Sequence, residues 1–191
     1  MKTKKRNAGI SATATRARRA VLATMLFLFG TVMVCACSFA NDEENERQEI
    51  VKIGQKLPPF AVVMNDSTLI SNNDLTESPS LIVFFNTTCA DCRKELPVVQ
   101  ELYKEFSDRI NFIAISRAEE KESVAAYWKK EKLEIPYSAQ PDRNVFSLFA
   151  KRTIPRIYIA DASGIVKYIF IEKASKKNLV RSLEALLEPA T

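Results

Sequence analysis

Histidine is absent from all 191 residues. That removes the base of Ser-His-Asp and Cys-His catalysis, the usual haem ligand, and the commonest ligand of zinc and copper. Methionine is nearly as scarce. Past residue 36 only Met64 remains, too little for a thioether copper site. Glycine and proline number four and eight, so the chain is neither collagenous nor low in complexity, and no internal repeat is visible. A basic surface is also missing, despite a net charge of +5. Residues 1–36 hold seven of the 28 basic residues and no acid, which leaves 21 basic against 23 acidic residues in the remainder. The positive charge thus belongs to the leader, and no nucleic-acid partner is expected. Hydrophobic residues make up 47%, enough for one real core, and the length suits one domain with extra segments.

The extra segments lie at the start. Residues 1–19 are polar and cationic, and from Ala20 to Ala36 the chain is almost wholly apolar. A cationic stretch before an apolar one reads as a secretory signal. Its end, Val34-Cys35-Ala36-Cys37, resembles a lipoprotein lipobox. The resemblance implies a signal peptide over 1–36, cleavage before Cys37, and a lipid on the Cys37 sulfur. An uncleaved anchor is the alternative, since residues 21–40 supply about the 20 residues that a membrane helix needs. Both readings hold the domain at a membrane, outside the cytoplasm. Residues 37–49 are acidic and poor in large apolar groups, and are expected to form a flexible tether.

The folded domain is expected over 50–191. Phe60–Met64 reads as a strand and Asn65-Asp66-Ser67 as a turn. Ser80–Phe85, SLIVFF, is a continuous apolar run, the pattern of a strand covered on both faces. A helix should follow from Ala90 to Phe106, with Leu96, Val99, Tyr103 and Phe106 on one stripe and a kink at Pro97. Ile110–Ser116 is the next strand. Glu119–Lys132 reads as a helix that buries Val124, Tyr127 and Trp128. A short strand over Ile135–Ser138 and a short helix over Arg143–Lys151 come next. Two strands, Pro155–Ala160 and Ile165–Ile171, join through a tight turn at Asp161–Gly164. A last helix, Lys176–Leu187, turns Leu179, Val180, Leu183, Leu186 and Leu187 inward. The order predicts an α/β fold, a central mixed sheet with helices on both faces.

Past Cys35 and Cys37 of the lipobox two cysteines remain, Cys89 and Cys92, where the buried strand passes into the helix. The first faces the unpaired N–H groups at a helix start, which favour thiolate, the nucleophilic form. The second, one turn later, is placed to attack a mixed disulfide formed on the first. Half a zinc site is the rival reading, but four ligands are wanted and neither a further cysteine nor a histidine is there. A purely structural disulfide would close a loop too short to restrain the unfolded chain much. Asp91, between the cysteines, disfavours a neighbouring thiolate, so the pair is expected to work as a reductant.

The segment FFNTTCADCRKELP resembles the active site of TlpA/ResA-like thiol–disulfide oxidoreductases, extracytoplasmic members of the thioredoxin superfamily and of the wider AhpC/TSA–Redoxin group. Gly54-Gln55-Lys56-Leu57-Pro58-Pro59-Phe60 is similar to that family's opening G-x-x-x-P-x-F, and the likeness covers about residues 50–190. It implies a thioredoxin-like fold, Cys89 as attacking thiol, Cys92 as resolving thiol, and Glu95 as a partly buried acid that assists proton transfer. A surface carboxylate is the plainer reading of Glu95. Thr153-Ile154-Pro155 matches the family's cis-proline loop, which implies Pro155 beside the dithiol and the Ile154 backbone pairing with substrate. Thr88 stands where relatives often carry Trp. The implied partners are disulfide-containing extracytoplasmic proteins and a membrane or soluble thiol donor. No flavin or nicotinamide motif is present, and no cofactor is expected.

Two other functions remain. One is a thioredoxin-fold lipoprotein that binds a partner without catalysis. The other is a peroxiredoxin-like peroxidase, but Ile82 and Asn86 stand where the P-x-x-x-[TS]-x-x-C pattern wants Pro and Thr or Ser.

Overall fold

The computed structural model describes residues 49–188, part of a compact unit that runs Gln48–Thr191. Cys37, the leader and most of the expected tether lie outside the described residues. Strand β3, Ser80–Phe85, is buried at every position. Its continuous apolar run can be satisfied only at the middle of a sheet with cover on both faces, and that is where it lies. It pairs in parallel with β4, Asn111–Ser116, in the register Ser80↔Asn111 to Phe85↔Ser116. On its other side it pairs antiparallel with β6, Arg156–Ala160. The two-residue β5, Tyr137–Ser138, flanks β4, and β7, Val166–Ile171, flanks β6, giving the order β5-β4-β3-β6-β7. A separate hairpin joins β1, Ala61–Val63, to β2, Leu69–Ser71.

Helix α1, Ala90–Phe106, crosses from β3 to the parallel β4. Its Leu96, Val99, Leu102 and Phe106 are buried, the three-to-four spacing of one apolar face. Helix α2, Lys121–Glu131, carries the chain from β4 towards β5. It ends on Lys132 in the left-handed region at φ 54, where the Leu133 N–H also reaches back to Trp128. Helix α3, Asn144–Phe149, contributes Phe146 and Phe149 to an aromatic cluster with Phe84 and Tyr158. Helix α4, Lys176–Leu187, starts on Ser175, whose side chain accepts from the Asn178 N–H. This is the expected mixed α/β architecture.

Some expectations shift. Tyr127 is only partly buried, because its ring packs edge-on against Trp128 at the rim of the core. Strand β2 was not anticipated. Leu69 is two-thirds exposed, so no apolar alternation marks it. It is set instead by the turn before it, where the Asp66 carboxylate accepts from the Thr68 N–H and hydroxyl and Ser67 takes φ 71. Glu49, expected in the tether, is docked: its backbone bridges to Ala150 and its carboxylate is buried. The ordered domain therefore includes that residue.

Candidate active site

Where β3 ends, Asn86 turns the chain. Its side-chain oxygen accepts from the Thr88 N–H at 2.9 Å and hydroxyl at 2.6 Å, and its amide donates to the Arg117 carbonyl at 3.2 Å. Its own carbonyl accepts from the Cys89 N–H at 3.1 Å. Cys89 is then the N-cap of α1, extended at φ −75, ψ 122, with no side-chain cap bond. The sulfur is thus left at the positive end of the helix, not spent on its backbone.

The two sulfurs have unequal surroundings. Cys89 is half-buried and Cys92 fully buried, and both are free thiols. Burial drives the Cys92 thiol well above the ordinary thiol range. The Cys89 sulfur adds to that push, while the Asn86 backbone and Arg117 oppose it. Cys89 is therefore the more accessible of the two sulfurs.

Across from the dithiol lies the Thr153-Ile154-Pro155 loop. The Ile154–Pro155 bond is cis, and the Cys89 Sγ stands 3.8 Å from the Ile154 carbonyl, which accepts its weak hydrogen bond. Cys89, Cys92, Ile154 and Pro155 are thus brought together. Glu95 is only partly with them. It is buried at 5% exposure, so the surface reading fails, but its interactions are with the Ala174 backbone and Lys173, with neither cysteine among them. Burial raises its acid range. A carboxyl with a raised value adds stability that is full below its unfolded value and is lost as pH rises through the folded one. Glu95→Gln should therefore gain stability relative to the parent between about pH 4 and about pH 7. Equal urea-midpoint differences at the two pH values would refute this.

Asp91 behaves otherwise than expected. Its carboxylate pairs with Lys94 at 2.8 Å, and the two side chains are 61% and 76% exposed. Its charge is compensated and screened by solvent, so the argument from Asp91 to a reducing pair loses its ground.

Two groups escaped the sequence reading. Glu119, from the turn after β4, is buried and holds the residue two before Cys89. Its carboxylate accepts from the Thr87 N–H at 2.7 Å, from the Thr87 hydroxyl, and from the Ser123 hydroxyl at 2.8 Å. The Thr87 carbonyl in turn accepts from Arg93 Nε at 2.5 Å. Glu119→Ala leaves the Thr87 donors unpaired and should destabilise the fold by about 1–3 kcal/mol, read from urea unfolding. Arg117, at the end of β4, lies over the Phe146 ring at 5.2 Å, with Arg143 over the same ring at 5.7 Å. Neither residue belongs to a spacing motif. Only the pairing of β3 with β4 brings Arg117 beside Asn86.

A cleft of about 360 Å³ lined by Tyr103, Phe112 and Pro136 contains neither cysteine. Cys89, at the N-cap of α1, lies outside that cleft. Among the described residues no helix is long and apolar enough to cross a membrane.

Residues 53–169 match the AhpC/TSA family. The chain is 25% identical over 145 residues to "Thiol-disulfide oxidoreductase ResA" of Bacillus cereus, spanning 75% of this chain and 82% of that one. It is 26% identical over 142 residues to "Thioredoxin-like protein YneN" of Bacillus subtilis, spanning 70% and 80%. Among solved structures, a putative protein disulfide isomerase from Bacteroides thetaiotaomicron is similar with a TM-score of 0.70 at 24% identity, over 73% of this chain and 92% of that one.

Proposed function

The chain belongs to the AhpC/TSA family, and from that premise we propose that it is an extracytoplasmic thiol–disulfide oxidoreductase that reduces protein disulfides through Cys89 and Cys92. The observation that carries this reading is the unequal pair of thiols at the start of α1, one accessible beside the Ile154 carbonyl and one buried a turn away. Cys89, as thiolate, attacks one sulfur of a substrate disulfide. A bond forms between Cys89 and that sulfur, and the other substrate sulfur leaves as thiolate. Cys92, once deprotonated, attacks Cys89 and releases the second substrate thiolate. Two electrons pass to the substrate, and the protein is left with an internal disulfide that an external thiol donor must reduce.

The potential tests the reducing direction, because strong oxidants of this class owe theirs to a stabilised reduced form. Equilibration against a glutathione or dithiothreitol buffer should place the potential well below about −120 mV. A value near that figure contradicts the reducing direction.

The relatives' printed names, thiol-disulfide oxidoreductase and thioredoxin-like protein, support the same chemistry. The leader supports the location: a lipidated Cys37 or an uncleaved segment over 21–40 tethers the domain outside. Mass spectrometry of the mature chain decides between them, since lipid at Cys37 and an intact leader exclude one another.

Insulin reduction with dithiothreitol as donor tests the activity. The parent should precipitate insulin chains far faster than Cys89→Ser, which should match the uncatalysed rate. Equal rates for the two would favour the alternative, a binding module that keeps the dithiol without using it. The peroxidase alternative fails unless the chain turns over peroxide in a Cys89-dependent way.

A further inference from the structure

Immediately after the Ile154–Pro155 segment comes Arg156, the largest side chain among those fully buried in the described residues. It opens β6, opposite Phe84 on one side and Ile171 on the other. A guanidinium does not give up its charge in a protein, so burial there demands a counter-charge. That charge comes from the far end of the domain. The Glu49 carboxylate forms an ion pair with Arg156 Nη1 and is itself 8% exposed. The other Glu49 oxygen accepts from the Tyr158 hydroxyl at 2.6 Å. The backbone is fastened too: Glu49 bridges to Ala150, and the Ile50 and Val51 N–H groups both donate to the Phe149 carbonyl at 3.0 Å. The first described residue is thus built into the interior.

The other side of the guanidinium faces the substrate loop. Arg156 Nε donates to the Thr153 carbonyl at 3.1 Å. Thr153 takes φ 56, a left-handed conformation that a threonine holds only with support from its surroundings. Because a peptide unit is planar, a carbonyl held in place also aims the N–H on the other side of its bond. Fixing the Thr153 carbonyl therefore fixes the direction of the Ile154 N–H. The Ile154 carbonyl, next along, is the group beside the Cys89 sulfur.

We propose that Arg156 and Glu49 are positioning residues for the substrate strand. Together they hold the Thr153–Ile154 peptide in the orientation that pairs with the backbone of a disulfide-bearing protein, and they tie that loop to the residue at which the N-terminal segment joins the domain. The inference rests on the oxidoreductase reading above and assigns the protein-substrate preference of that same site. An ion pair serving stability alone would leave substrate preference unmoved.

The test compares two substrates in the full-length chain. Insulin presents a backbone to Ile154, whereas cystamine is a small disulfide with no peptide to pair. Glu49→Gln/Arg156→Met replaces the ion pair by neutral groups of similar size, which keeps the interior free of a stranded charge. Its insulin rate should fall about tenfold more than its cystamine rate, the effect of one lost charge-assisted hydrogen bond. The loss should appear mainly in KM. Glu49→Asp, which keeps the charge, should recover part of the difference. If both rates fall by one common factor, or neither falls, the proposal is overturned.

Should the double variant fail to fold, amide hydrogen exchange on Glu49→Asp decides the matter. Faster exchange at Ile154, with Val83 in β3 unchanged, supports the proposal, and parallel changes at both overturn it. If the parent itself reduces neither substrate, the oxidoreductase reading fails, while the exchange measurement still reports whether the pair holds the loop.

Discussion

Cys92→Ala should stop turnover and leave the protein joined to its substrate through Cys89. The first attack needs only the accessible sulfur, so the mixed disulfide forms as before. The second attack has lost its nucleophile. In the parent that nucleophile sits one helical turn away and fully buried, so its attack is intramolecular. Intramolecular attack in good geometry corresponds to effective molarities far above any thiol that can be added to solution. Insulin reduction should fall on the order of 10³-fold or more. A covalent adduct should appear on non-reducing gels and disappear with dithiothreitol. Absence of the adduct, with residual activity near the parent's, would mean that Cys92 is not the resolving thiol. Cys89→Ser/Cys92→Ala must show no adduct, which ties the trap to Cys89. The adducts recovered from a cell envelope would then identify the proteins this chain acts upon.

The second large effect concerns stability. Glu49→Ala strips the buried Arg156 of its ion-pair partner and the Tyr158 hydroxyl of one of its two acceptors. Removing one member of a buried pair leaves a charge in the interior and is expected to destabilise by about 3–5 kcal/mol, far more than a surface pair such as Lys94–Asp91, worth about 0–1 kcal/mol. Urea unfolding at neutral pH should show the midpoint falling with little change in slope. The paired replacement Glu49→Gln/Arg156→Met should recover much of the loss. A single variant within about 1 kcal/mol of the parent would show that the pair contributes little net stability.

How much of this was legible depends on the range of the interactions. The bounds of α1 and α4 follow from periodicity and from runs long enough to show one apolar face. The burial of β3 follows from an unbroken apolar run. The dithiol was legible from spacing and position, and the cis Pro155 and its loop only from likeness to a family. The buried acids were not legible. Glu49 sits in an acidic stretch whose composition describes a solvated chain, and its partner Tyr158 is 109 residues away. Glu119 follows Ala118 and precedes Glu120, and nothing local marks it as the one turned inward to Thr87. Contacts of that reach are set by the pairing of strands. Asp91 shows the converse: the charge was legible, but the neighbour that compensates it, Lys94, changes what it does.

The ends of the sheet decide where a foreign strand can add. Strand β5 has only two residues, too few to template another chain. Strand β7 presents Lys167, paired with Asp161 at 3.1 Å, and the β6–β7 register breaks at Ile159/Ala160. A short margin on one side and a charged, irregular margin on the other both discourage edge-to-edge association. On the tether proposed above, the protein would meet its neighbours at high local concentration, where open margins would stitch copies into aggregates. With both margins blunted, edge-to-edge association of this domain is disfavoured, and under the proposed function the backbone beside Cys89 is the place where another chain is received.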